Sequence, residues 1–158
     1  MEISINLNGV NKTFEVEKRW SLLRVLREQL GLLGAKGGCK TGDCGTCTVL
    51  IDGEPEMSCV ILAKNVEGKK IVTIEGLSQK NSLHPIQRAF IDAGAVQCGF
   101  CTPGMILRAK ALLDKDTNPS RFKIREALDP SLCRCTGYQK IIDGVTLASK
   151  YIKDEVPS

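Results

Sequence analysis

The chain has 158 residues, with 22 Lys+Arg against 18 Asp+Glu, a formal net charge of +4 and only 4% aromatic residues. The basic residues are scattered rather than interleaved with stacking aromatics on one stripe, which argues against nucleic-acid binding, and no apolar run approaches the length of a membrane span. Eight cysteines accompany a single histidine, His84.

The opening stretch, MEISINLNGV, is polar and alternating, without the charged and apolar regions of a signal peptide, so the expectation is a soluble cytoplasmic protein. In a reducing compartment an even cysteine count points to metal ligation or redox chemistry rather than disulfides. A lone histidine excludes a two-Cys, two-His zinc finger and a Rieske cluster, each of which needs two. His84 is expected to be a polar residue in the turn before Pro85.

In chain order, EISINLNG and KTFEVE alternate around the turn-forming Asn8-Gly9 and predict a first pair of strands. Leu22, Leu23, Leu26 and Leu30 then follow helical spacing behind Ser21, a good N-cap. TVLI and EPEMS flank Asp52-Gly53, a hairpin signal, and KKIVTIEG predicts a further strand. Residues 1–76 thus read as an α+β domain with a mixed sheet. The polar stretch GLSQKNS lacks periodicity, which places a linker at 77–83. Over 84–158 the strand signals stop. Met105, Ile106, Ala109, Leu112 and Leu113 form one helical stripe; Ile141, Val145, Ala148 and Ile152 form another. Shorter helices are expected near 84–93 and 119–128, the latter with Asn118 as cap and Pro119 at its first position. This half reads as a small helical bundle.

The cysteines divide at that boundary, with Cys39, Cys44, Cys47 and Cys59 before it and Cys98, Cys101, Cys133 and Cys135 after it. The first tetrad has the spacing C-x4-C-x2-C, and its first three members match the plant-type ferredoxin run that holds a 2Fe-2S cluster. A two-residue turn at Asp52-Gly53 returns Cys59 almost opposite Cys47. Gly37, Gly38, Gly42 and Gly45 let the backbone wrap a core closely. A thioredoxin-like reading of CGTC fits poorly, because two more cysteines share the site and no βαβ pattern surrounds it. The second tetrad combines C-x2-C with C-x-C. Each pair is followed by Thr102 or Thr136, expected helix N-caps, whose free N–H groups would favour an anionic thiolate core. Zinc stays open at either tetrad on these residues alone.

The two motifs together, CKTGDCGTC and QCGFCTPGMI...LCRCTGY in this order, resemble the small iron-sulfur subunit of the molybdenum hydroxylases, the family of xanthine dehydrogenase, aldehyde oxidase and carbon monoxide dehydrogenase-like enzymes. The resemblance covers nearly the whole chain. It implies a β-grasp, ferredoxin-like N-terminal domain and an all-α four-helix bundle, each with one 2Fe-2S cluster held by its tetrad. It implies an electron-transfer subunit of an oxidoreductase, not catalytic alone. Electrons would pass from a molybdopterin site on a large subunit to FAD on a medium subunit, in a complex expected to be a dimer of heterotrimers. By the same resemblance Gln97 and Cys135 face the pterin; the plainer role for Gln97 is to satisfy loop backbone groups. Thr46, where the family more often has alanine, is a departure expected to be inconsequential. A free-standing ferredoxin-like carrier and a zinc-stabilised interaction module are the alternatives. The substrate, whether purine, aldehyde, nicotinate, carbon monoxide or an aromatic thioester, is selected on another subunit.

Overall fold

The computed structural model describes residues 1–155; the last three positions of the expected second domain, 156–158, lie outside the described residues. Its first half is a five-stranded mixed sheet in the order β2-β1-β5-β3-β4. The strands are β1 (Glu2–Leu7), β2 (Val10–Glu15), β3 (Thr48–Ile51), β4 (Glu54–Met57) and β5 (Lys70–Val72). Both hairpins form where expected: Asn8 and Gly9 have φ of 51° and 85°, and Asp52 and Gly53 have φ of 52° and 88°, the left-handed pair that a two-residue turn demands. β1 and β5 run parallel, and the other pairings are antiparallel.

Strand alternation gives the sheet two buried faces. Ile3, Ile5, Leu7, Val49 and Ile71 pack beneath Leu22, Leu23, Val25 and Leu26. Leu50 and Val72 point the opposite way, into the core of the helical half. α1 (Leu22–Arg24), capped by the Ser21 hydroxyl, continues as a π-helical stretch at Val25–Gln29, where the Leu30 amide donates to Val25 O at 3.0 Å. The leucine stripe survives this widening. The last expected strand is shorter than KKIVTIEG. Asn8 takes the Thr73 amide on its Oδ1 (2.9 Å) and donates to the Thr73 hydroxyl (3.0 Å), which ends the ladder, and Ile74–Gly76 turn as a 3-10 helix.

The second half has four helices: α2 (Pro85–Asp92), α3 (Thr102–Lys115), α4 (Arg121–Leu128) and α5 (Gln139–Glu155). Phe90, Met105, Ile124, Ile141 and Val145 are almost wholly buried among them. His84 is the N-cap of α2, its Nδ1 accepting the Ile86 amide at 3.2 Å. Three cap positions differ from expectation. α4 is capped by Ser120 because the Asn118 side chain is engaged by Lys153 Nζ at 2.8 Å. Thr102 is the first residue of α3, with the already helical Cys101 in the cap position. Thr136 lies before the left-handed Gly137 and Tyr138 and caps no helix. No described helix is long and apolar enough to cross a membrane.

Candidate functional site

Cys39, Cys44 and Cys47 lie on the loop that leads into β3, and Cys59 follows β4. The register of the β3-β4 hairpin, with Thr48 opposite Met57, puts Ser58 beside Cys47, and the Ser58 amide and hydroxyl donate to Cys47 O at 3.3 and 2.7 Å. Cys59 is thereby returned to contact with Cys47, as the turn geometry predicts. Burial, and then the Cys47 thiol, push Cys59 up to about 11. Cys39 is the opposite case. The Thr41 hydroxyl and the amides of Thr41, Asp43 and Cys44 hold it down at about 5, the amides lying 3.4, 3.3 and 3.4 Å from the sulfur. A loop that turns its N–H groups onto one sulfur stabilises the thiolate that a metal binds. Thr46 touches this site directly: its buried hydroxyl lies 3.1 Å from Cys44 Sγ and 3.1 Å from Lys36 O. A Cβ on Gly38 would sit 2.9 Å from Cys44 Sγ, so the chain closes around the sulfurs too tightly for any side chain there.

Cys98 and Cys101 precede α3, and Cys133 and Cys135 lie on the loop between α4 and α5. Cys135 Sγ is 3.5 Å from Cys98 Sγ, and Cys101 is in hydrogen-bond contact with Cys133. Burial and then Cys133 push Cys101 up to about 12. Burial acts the same way on Cys133, but the Thr136 hydroxyl, with the amides of Thr136 and Cys135 and the Cys101 thiol, outweighs it and lowers the group below its ordinary value. Contact with Cys98 raises Cys135. Thr136, missed as anything but a cap, donates to Cys133 Sγ at 3.1 Å and accepts the Tyr138 amide at 3.2 Å. Tyr138 was unmarked except by its place in CTGY; its hydroxyl accepts the Cys133 amide at 3.0 Å and pins the C-x-C loop. Cys98 and Cys135 are exposed, as is Gln97 beside them, whereas Cys101 is buried.

In the second tetrad the sulfurs meet two and two, and in the first Cys59 meets Cys47 while Cys39 receives the Cys44 amide. Paired thiols fit a two-iron core, which takes two thiolates on each iron, better than one tetrahedral zinc. The buried thiols fit it too, because a buried thiolate is costly until a cation compensates it.

The two tetrads are joined. Gly45, between Cys44 and Cys47, has φ +73°, and a Cβ there would lie 2.6 Å from Pro130 O and Ser131 Oγ. Gly104 in the first turn of α3 sits over Gly45 O, which a Cβ would approach to 2.6 Å. Across this seam the Leu132 amide donates to Cys44 O at 2.9 Å. One hydrogen bond thus links the residue before Cys133 to Cys44.

Residues 5–78 match a family model described as a 2Fe-2S iron-sulfur cluster binding domain, and residues 73–146 match a 2Fe-2S binding domain. The nicotinate dehydrogenase small FeS subunit of Eubacterium barkeri is 47% identical over 146 residues, covering 92% of this chain and 93% of that protein. The aldehyde oxidoreductase of Megalodesulfovibrio gigas is 44% identical across 97% of this chain, which spans only 17% of that much longer protein. The crystal structure of quinoline 2-oxidoreductase from Pseudomonas putida 86 includes a chain that superposes with a TM-score of 0.93 at 47% identity, over 99% of this chain and 98% of that one.

Proposed function

This chain belongs to the iron-sulfur subunits of the molybdenum hydroxylase family, and from that premise we propose how it carries electrons and where its partners dock. It is an electron-transfer subunit of an oxidoreductase complex. That membership removes the zinc module and the free carrier as readings of the whole chain. Cys39, Cys44, Cys47 and Cys59 hold one 2Fe-2S cluster and Cys98, Cys101, Cys133 and Cys135 the other, with Cys98 and Cys135 on one iron and Cys101 and Cys133 on its neighbour. Each cluster supplies a one-electron carrier. The division into residues 1–76, a linker at 77–83 and a helical domain from 84 follows the same pattern of ligands.

The observation that carries this reading is the hydrogen bond from the Leu132 amide to Cys44 O at 2.9 Å. It makes a covalent and hydrogen-bonded path from Cys133 to Cys44 through one non-covalent step. Tyr138 and Thr136 hold the Cys133 end of that path, and the close contact of Gly45 with Ser131 keeps the other end against it. Electrons enter at the second tetrad, whose exposed Cys98 and Cys135 with Gln97 face a large molybdopterin-binding subunit; Gln97 positions the pterin and Cys135 accepts a hydrogen bond from it. They leave from the first tetrad toward FAD on a medium subunit. The complex is a cytoplasmic dimer of heterotrimers.

The experiment is purification under gentle and stringent conditions. The gentle preparation should bring down a large molybdenum-containing chain and a flavoprotein. The stringently purified subunit should accept electrons from dithionite yet oxidise no purine, aldehyde or nicotinate. Turnover by the isolated subunit would refute the assignment.

A further inference from the structure

α3 packs across β3, with Gly104 seated over Gly45 and Thr48. Arg108 lies four residues further along the helix, hence on the same face. It is only 6% exposed, in the seam between the sheet and the helical half. Its Nε donates to Ser131 Oγ at 2.9 Å, and Ser131 is itself buried. Among the described residues no carboxylate stands within ion-pair distance of the guanidinium. Ser131 Oγ in turn lies against Gly45, between Cys44 and Cys47, so the anchored guanidinium sits at the loop of the first tetrad and the Cys47 sulfur bears on it; Glu56, the carboxylate that also bears on it, is exposed on β4, where water screens it.

A buried cation without an opposite charge is costly, and an arginine cannot escape that cost by losing its proton. Cys47 belongs to the first tetrad. A two-iron core bound by four thiolates is anionic and gains one further negative charge on reduction. A fixed positive charge beside it in a dry seam favours the reduced form, because the attraction is little screened there.

We propose that Arg108 has the cluster held by Cys39, Cys44, Cys47 and Cys59 as its counter-charge, and that it raises the reduction potential of that cluster relative to the one held by Cys98, Cys101, Cys133 and Cys135. Arg108 is a tuning residue supplied by the helical half to the ligands of the sheet half, so it acts only when the two are docked. It biases electrons toward the first tetrad. The inference rests on the assignment of a cluster to each tetrad.

The test is a potentiometric titration of the full chain with both clusters loaded, each cluster followed by its own paramagnetic signal. Arg108→Gln should shift the reduced-to-oxidised ratio of the first cluster at a given potential by about tenfold, equivalent to about 59 mV downward for a one-electron couple. The second cluster should move much less. Arg108→Lys keeps the charge and should retain most of the native potential. An unmoved first cluster in Arg108→Gln, or equal movement of both, overturns the proposal. If Arg108→Gln fails to accumulate, Ser131→Ala, which frees the guanidinium from its anchor, carries the test: a shift confined to the first cluster supports it, and none overturns it. Absence of one signal from the unmutated chain would instead refute the cluster assignment itself.

Discussion

Replacing Gly104 by alanine sets two effects of opposite sign against each other. Gly104 is helical, with no left-handed φ to protect, so alanine should stabilise α3 by about 0.5–1 kcal/mol through backbone entropy. The new methyl, however, would lie 2.6 Å from Gly45 O, nearer than carbon and oxygen tolerate. That carbonyl is not free to retreat. It accepts the Thr48 amide at 3.2 Å and the Thr48 hydroxyl at 2.7 Å, and its residue is itself pressed against Pro130 and Ser131. Overpacking of this kind costs about 1–3 kcal/mol, which cancels or exceeds the helix gain, so the net change should be a loss of up to about 2.5 kcal/mol. For a chain of this size each kcal/mol lowers Tm by about 2–4 °C. Thermal unfolding of the loaded subunit reads the sign directly. A variant more stable than the native chain by the helix-propensity gain would show that the seam is loose and that the joined tetrads are not held by it.

Cys44→Ser should abolish one paramagnetic signal and spare the other, since the tetrads have separate ligand sets; loss of both would argue for a shared site. Gln97→Ala should leave both clusters assembled but slow reduction of the second by substrate in the complex, or weaken pterin retention; a variant that assembles normally and reduces at the native rate removes any role for that side chain. His84 caps α2 only as neutral imidazole, because Nδ1 must accept the Ile86 amide, and burial, then Lys110, lower its pKa below the ordinary 6.5. Its contribution is therefore complete above that value and lost as pH falls through the lowered one. Urea unfolding at pH values from 7 down to 5 should show this loss, and His84→Asn, which keeps a capping side chain, should flatten it; an identical pH dependence in the variant would contradict the capping role.

Much of the fold was legible because local rules and tertiary demands agreed. Asn8-Gly9 and Asp52-Gly53 admit few turns, and the hairpin register that brings Cys59 to Cys47 follows by counting. The leucine stripe after Ser21 marked a buried helix, though not its π-helical widening, which a periodicity of leucines cannot register. The caps at α4 and α5 went astray because Asn118 and Thr136 had stronger claims elsewhere, on Lys153 and on the Cys133 sulfur. Those competing partners lie far off in sequence or belong to the ligand loop itself. The division of the cysteines into two tetrads was readable from spacing, and the thiol contacts Cys47 with Cys59, Cys98 with Cys135 and Cys101 with Cys133 fall within it. The seam was not: Gly104, Leu132 and Arg108 look like ordinary helix and loop residues, and only the docking of the two halves sets Gly104 over Gly45, joins Leu132 to Cys44 and buries Arg108 between them. Thr46 stood out merely as an unusual residue, whereas its hydroxyl contacts the Cys44 sulfur.

The central claim is that each tetrad holds its own two-iron cluster. Metal and acid-labile sulfide analysis of the anaerobically purified subunit, combined with low-temperature electron paramagnetic resonance after dithionite reduction, tests it most directly. About four iron and about four sulfide per chain are expected, with two distinct signals of equal intensity and no zinc. One zinc per tetrad, a 4Fe-4S signal, or a single signal accounting for all the iron would contradict the account.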